Sequence, residues 1–216
     1  MNAKQGQIPL IGPAGMLAEL FARTLEDETR IKLLFSGPPG IGKSDLAQRI
    51  AATLTGDRFG IETVNGRSMS IHVVREWSRD VATSCLFGTG WKIKVVDEID
   101  TAPADAQDEL LTFLDNLPAN RGFIATSNLD LGKLSQRFVT RLKRHEVQAP
   151  EPEDIARFLV EIHGVPPLVA QQIAFLCGGC VRAALLDADA WRNEQTAKKK
   201  PAKVLQAAFA LEGGGR

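Results

Sequence analysis

"KLLFSGPPGIGKS", residues 32–44, is the stretch on which the fold turns. Its apolar first half reads as a buried strand that runs into a tight, glycine-bearing turn. Beyond the turn, Leu46, Ile50 and Leu54 recur every four residues, which predicts an amphipathic helix ending near Gly56. Between them, Gly37 to Ser44 fits G-x-x-x-x-G-K-[ST] at every fixed position, with Pro38, Pro39, Gly40 and Ile41 as the four variable residues and Asp45 following. Glycines at these positions, Gly37 and Gly42 above all, let the backbone aim successive N–H groups at phosphate oxygens, and the following helix adds its positive N-terminal end. In such a loop Lys43 reaches the β- and γ-phosphates and the Ser44 hydroxyl takes one position on Mg²⁺.

Working outward, Leu17, Leu20, Phe21 and Leu25 lie at helical spacing within residues 14–27, so a helix precedes the loop. "FGIETV" is a second strand, "WKIKVVDEID" a third, "GFIATSN" a fourth and "HEVQAP" a fifth. Val74, Trp77 and Val81 predict a helix after Asn65; Leu110, Leu111, Leu114 and Leu117 predict another, with Pro103 in its first turn. Strands alternating with helices of this length imply an α/β core, a five-stranded parallel sheet covered on both faces. At Pro150 the pattern changes. Three helices follow without a strand, lined by Ile155, Phe158, Leu159 and Ile162, by Val169, Ile173 and Leu176, and by Val181, Ala184, Leu185 and Ala188. The expected organisation is a nucleotide-binding core over 1–150, a small all-helical domain over 151–192, and a basic, weakly ordered tail over 193–216.

The third strand ends in "DEID". Asp97 at the strand's end is placed to hold Mg²⁺ through its water shell, and the adjacent Glu98 to polarise an attacking water. A small-molecule kinase has no need of that glutamate, whereas a hydrolase does. The pair also argues against a nucleotide-dependent adaptor without turnover.

Composition narrows the class. The 216 residues are 44% apolar and 24% charged with a formal net charge of zero, as in a soluble globular protein, and the total announces neither a nucleic-acid nor a membrane partner. Charge is uneven, however: Lys133, Arg137, Arg141, Lys143 and Arg144 crowd one segment, and Lys198, Lys199, Lys200 and Lys203 another. No apolar run approaches bilayer length, no signal-peptide pattern opens the chain, and three cysteines, an odd number, argue against a disulfide framework, so a cytoplasmic protein is expected. Cys177 and Cys180 form C-x-x-C without a second ligand pair and read as small packing residues. His72, His145 and His163 are scattered without ligand spacing.

Taken in order, these motifs resemble those of the AAA+ ATPase superfamily. "GPPGIGKS" resembles its Walker A motif, "VVDEID" its Walker B motif, and "FIATSN" its sensor-1 strand, which would make Asn128 the residue that senses the γ-phosphate. The helices after Pro150 resemble the family's lid, and "GGCVRAAL" its sensor-2 segment, which implies that Arg182 approaches the phosphates of the same subunit. "NGRSMSIHVVREW", residues 65–77, is similar to the stretch after the second strand in clamp-loader small subunits, through Asn65, Ile71, Val74 and Arg75. That likeness implies either a contact from Arg75 to a DNA phosphate or, on its chemistry alone, an ordinary solvated arginine.

Clamp-loader relatives carry a Ser-Arg-Cys motif whose arginine reaches the ATP of a neighbouring subunit. Thr140–Arg141–Leu142 sits closest to it, without the serine or cysteine, and Arg137 followed by Phe138 is the competitor. The resemblance implies ATP and Mg²⁺ as cofactors, with ATP bound between core and lid. It also implies assembly with like or unlike AAA+ subunits, and partners such as primed or double-stranded DNA, a sliding clamp or a helicase. Such subunits usually continue into a helical collar, and here only the short tail follows. Helicase-loader, branch-migration and mobile-element ATPases therefore stand as alternatives to a clamp-loader subunit.

Overall fold

The computed structural model describes residues 9–25, 28–83, 88–128 and 131–212; Cys85 lies outside them. The chain divides into two compact units, Met1–Pro150 and Glu151–Arg216.

In the first unit, helix α1 (Gly12–Thr24) leads into strand β1 (Arg30–Ser36) and helix α2 (Lys43–Thr55). Strand β2 (Ile61–Asn65), helix α3 (Ile71–Val81), strand β3 (Lys92–Asp97), helix α4 (Ala104–Asp115), strand β4 (Arg121–Ser127), the single-turn helix α5 (Gln136–Val139) and strand β5 (Lys143–Glu146) complete it. The sheet order is β2-β3-β4-β1-β5 and every pairing is parallel. Successive side chains of a strand point to opposite faces. Leu33 and Phe35 thus join Phe21, Leu46 and Ile50 on the α1–α2 side, whereas Leu34 joins Trp77, Leu110, Leu114 and Phe138 on the α3–α4 side. The central β4 is buried along its whole length.

The register gathers the strand ends. Ser36 lies opposite Ser127 and Glu146, and Asn65 opposite Asp97, so the loops after β1, β2, β3 and β4 leave one edge of the sheet side by side. That carboxyl-terminal edge is where open parallel sheets hold ligands.

Several expectations need correction. The fifth strand is Lys143–Glu146 rather than a strand begun at His145, because an edge strand carries charges such as Lys143 and Arg144 without cost to a core. Pro103 caps α4 rather than standing inside it. Leu20 and Ile162 are exposed, and Leu176 is 78% exposed. Ile162 already follows the end of its helix and Leu176 is the last residue of its own, so neither shares the buried face.

The second unit packs helices α6 (Pro152–Glu161), α7 (Pro167–Leu176) and α8 (Val181–Glu212) around Ile155, Leu159, Ala170, Ala174, Ala184 and Ala188. Helix α8 continues to Glu212, into the segment expected to be weakly ordered; the alanines, lysines and glutamines there are good helix formers. Among the described residues no helix is long and apolar enough to cross a membrane.

Candidate functional site

The loop between β1 and α2 ends in Gly42, which caps α2 at φ 98°, a left-handed conformation that glycine adopts without steric cost. Lys43, only 7% exposed, curls back over this loop; its Nζ donates to the carbonyls of Gly37 at 2.9 Å and Pro38 at 2.6 Å. Asp45 is exposed in the first turn of α2. A lysine so anchored keeps its charge against the loop, where a bound phosphate would need it.

Ser44 and Asp97 are 53 residues apart in sequence, yet the Ser44 hydroxyl donates to the Asp97 carboxylate at 2.7 Å. The Asp97 oxygen that accepts it also accepts from the Thr126 hydroxyl on β4. Thr126 in turn accepts the backbone N–H of Glu98 at 3.1 Å, so one side chain fixes both acids of the strand end. Thr126 carries no motif of its own in the sequence. It stands two residues before Asn128 on a strand quoted for another reason, and that spacing puts it on the same face.

Glu98 has φ 55° and ψ 52°, in the left-handed region that non-glycine residues rarely occupy. The turn directs its side chain away from the strand axis, and backbone strain of this kind gathers at functional sites. Its carbonyl accepts from both the backbone N–H of Thr101 at 2.9 Å and the Thr101 hydroxyl at 2.8 Å, which over-determines the turn. Gly66 closes against it. A Cβ on Gly66 would stand 2.1 Å from the Glu98 carbonyl oxygen and 2.7 Å from the Thr101 hydroxyl oxygen. The "NG" that begins "NGRSMSIHVVREW" is therefore a buttress for the acid turn, with the Asn65 side chain accepting from the Arg67 N–H at 3.0 Å to shape the bend.

Asn128 follows β4 at the same edge. Its N–H donates to Asp100 at 3.3 Å and its carbonyl accepts from Ser127 at 3.0 Å. The structure thus brings together Lys43, Ser44, Asp97, Glu98 and Thr126, with Asn128 beside them. The donor set, one hydroxyl and one carboxylate oxygen in contact, suits a hard cation such as Mg²⁺, which takes one or two protein oxygens and completes its shell with water and phosphate.

The arginines fall elsewhere. Arg182 belongs to the second unit, exposed on the first turn of α8. Arg75 is exposed on α3 and paired through Nε to Glu109 of α4 at 2.9 Å, so it is neither bare nor buried. Arg141 is gripped from two sides: Asp115 accepts from its Nε at 2.8 Å and a terminal nitrogen at 2.9 Å, and the Arg137 carbonyl accepts from the other at 2.8 Å. The guanidinium holds the Asp115 carboxyl below its ordinary range. Arg137 itself is exposed, and its side chain has no ion pair among the described residues. A cavity of about 300 Å³ opens beside Arg30, Lys32, Arg141 and Lys143 and shares no residue with the phosphate loop.

Two buried cations went unnoticed in the sequence. Lys94, 3% exposed in β3, donates to Asp80 at 2.7 Å and also to Glu62, and lies over the Trp77 ring; Trp77 itself donates to Glu62 at 2.7 Å. Arg121 donates to four carbonyls, those of Val81, Thr83, Gly90 and Asn120, at 2.7–3.1 Å. Both fasten α3 to the sheet, Lys94 through Asp80 and Arg121 through the Val81 carbonyl.

Comparison with known proteins agrees with this geometry. A family profile described as "AAA domain (dynein-related subfamily)" matches residues 32–138. The chain is 29% identical over 145 residues to replication factor C subunit 3 of Saccharomyces cerevisiae, covering 65% of this chain and 42% of that protein. It is 28% identical over 150 residues to the replication factor C small subunit of Sulfurisphaera tokodaii, covering 68% and 46%. The chain therefore spans less than half the length of these relatives. Among solved structures, a RuvB variant from Thermotoga maritima superposes with a TM-score of 0.72 at 18% identity, over 89% of this chain and 67% of that one. A DNA polymerase III gamma subunit-related protein of the same organism gives 0.58 at 15% identity, over 81% and 58%. These two establish likeness of fold.

Proposed function

We propose that this chain, which belongs to the AAA+ superfamily and is related to clamp-loader small subunits, binds and hydrolyses ATP with Mg²⁺ and couples the cycle to loading or remodelling a replication or repair factor on DNA. The observation that carries the reading is the contact of Ser44 with Asp97, bridged by Thr126 to Glu98, directly after a phosphate loop closed by Lys43.

In this reading the loop from Gly37 to Ser44 cradles the triphosphate and Lys43 exchanges its two loop carbonyls for phosphate oxygens. A bound Mg²⁺ neutralises phosphate charge. Ser44 and Asp97 would hold it, in place of their mutual hydrogen bond. Glu98, turned out of the strand, accepts the proton of the attacking water, and Asn128 orients the γ-phosphate. Arg182 links nucleotide state to the helical unit. Arg141 acts on the ATP of a neighbouring subunit, which makes turnover depend on assembly. A guanidinium has five N–H donors, and three of those of Arg141 are committed to Asp115 and Arg137, which leaves two for a phosphate.

The test is steady-state ATP hydrolysis across protein concentration, with and without primed DNA and a sliding clamp. Turnover that rises with concentration and with clamp plus primed DNA supports the reading. Stimulation by a helicase or by junction DNA instead would move the protein to another AAA+ branch, and turnover indifferent to all of them would remove the DNA-linked part.

A further inference from the structure

We propose that Cys177 and Cys180 form a reversible dithiol–disulfide site, whose reactant is a low-molecular-weight or protein disulfide. The four residues Cys177–Gly178–Gly179–Cys180 join α7 to α8. The Cys180 N–H donates to the Cys177 carbonyl at 3.0 Å, and Gly178 and Gly179 have φ of 56° and 84°. A hydrogen bond from the fourth residue to the first, with both central residues at positive φ, defines a tight turn of type I′. Such a turn brings its first and fourth Cα atoms within about 7 Å, and a disulfide spans about 4.4–6.8 Å. Both cysteines are partly exposed and neither is bonded to another. The Cys177 thiol donates to the Ala174 carbonyl at 3.2 Å, a weak bond that is easily given up. No group of three or more His, Cys, Asp or Glu side chains able to hold a metal occurs among the described residues, so the pair has no third or fourth ligand at hand.

The chemistry balances by exchange. One cysteine sulfur attacks the disulfide reactant, its S–H proton passing to the departing thiolate, and a mixed disulfide forms. The second cysteine sulfur then attacks the protein sulfur of that bond and releases the second thiol. Two protein S–H bonds and one reactant S–S bond become one protein S–S bond and two thiols. The consequence falls on α8. A Gly-Gly turn is the most mobile kind of backbone, and closing it covalently fixes the first turn of α8, which carries Arg182 two residues after Cys180. If Arg182 responds to nucleotide, a point that rests on the proposed function, oxidation slows the ATP cycle.

The experiment uses the full chain with Cys85→Ser, treated with oxidised and then reduced glutathione. Trypsin releases Phe158–Arg182 as one peptide holding both cysteines. Mass spectrometry should find this peptide lighter by two hydrogens after oxidation, with no glutathione attached, and restored on reduction. The Cys180→Ser variant should instead retain a glutathione adduct at Cys177. Persistent adducts in the Cys177/Cys180 protein, or an unreacted dithiol, would overturn the site. ATP turnover is read in parallel: a reversible severalfold fall, absent from the Cys177→Ser/Cys180→Ser double variant, supports the coupling to α8, and unchanged turnover in the oxidised protein overturns it. A chain that hydrolyses no ATP in either state would count against the proposed function, while the mass readout still decides the thiol site.

Discussion

Gly66 and Glu98 are locked back to back: the space a Cβ on Gly66 would need is filled by the Glu98 carbonyl oxygen, 2.1 Å away. Gly66→Ala must therefore push the acid turn, since backbone on both sides cannot yield freely. Displacing a catalytic group by about 1 Å costs on the order of a hundredfold in rate. ATP turnover should fall by roughly that order while ATP affinity, set by the loop before α2, stays near wild type. Equal loss of both would show that Gly66 supports the whole fold rather than Glu98.

Thr126→Val keeps the shape of the side chain and removes the hydroxyl. Asp97 loses a donor and the Glu98 N–H loses its acceptor. An unpaired buried group costs about 1–3 kcal/mol, so chemical unfolding should detect a loss of that size together with slower hydrolysis. Thr126→Ser should recover most of both.

Arg121→Met strips four carbonyls of their donor beneath α3. The expected destabilisation is about 3 kcal/mol, in the range of a broken buried network. Denaturant titration followed by tryptophan fluorescence reads it directly, because Trp77 is fully buried on α3.

Among the described residues, His145 and His163 each leave a buried Nε2 without a hydrogen bond, packed against Phe21 and Phe35 in one case and Phe158 in the other. Burial holds both below the ordinary value of 6.5, with Lys143 and Arg192 adding to it and Asp189 opposing at His163. The folded protein then binds fewer protons than the unfolded chain. This stability is fully present above 6.5 and is lost as pH falls through the lowered folded values. At Asp80 burial pushes the carboxyl up, but Lys92 and Lys94 together outweigh it and hold it low, so it acts in a separate window that opens only below 3.8. Urea midpoints measured from about pH 7.5 down to about pH 5 should decline, and His145→Phe should flatten the decline.

Arg141 is oriented by Asp115, whereas the Arg137 side chain has no ion pair among the described residues. If Arg141 serves a neighbouring ATP, Arg141→Ala should remove assembly-dependent turnover, Asp115→Asn should reduce it less, and Arg137→Ala should leave it close to wild type. A larger effect of Arg137→Ala than of Arg141→Ala would reverse the assignment.

The sheet, its strands' chemistry and the phosphate loop were legible because each rests on local pattern: an apolar run, a glycine turn and a four-residue repeat. The partners that tune the site were not. Thr126 meets Asp97 only through strand pairing across 29 positions, and Asp115 meets Arg141 across 26. The burial of Lys94 depends on Glu62 and Asp80 arriving from β2 and α3, which no local pattern in the third strand announces. The beginning of β5 was misjudged for the related reason that charge on an edge strand resembles a loop until the neighbour is known. The exposed faces of Leu168, Phe175 and Leu176 on the second unit likewise cannot be told from core faces by spacing alone.

The proposed function turns on Glu98, held by Thr126 and Gly66, activating water for ATP hydrolysis. The measurement that addresses it is single-turnover hydrolysis by wild type and Glu98→Gln at saturating ATP and Mg²⁺, with bound nucleotide quantified in the same samples. Full ATP occupancy is expected in both, with hydrolysis lost by a factor on the order of a hundred or more in the variant. Unchanged hydrolysis at equal occupancy would contradict it.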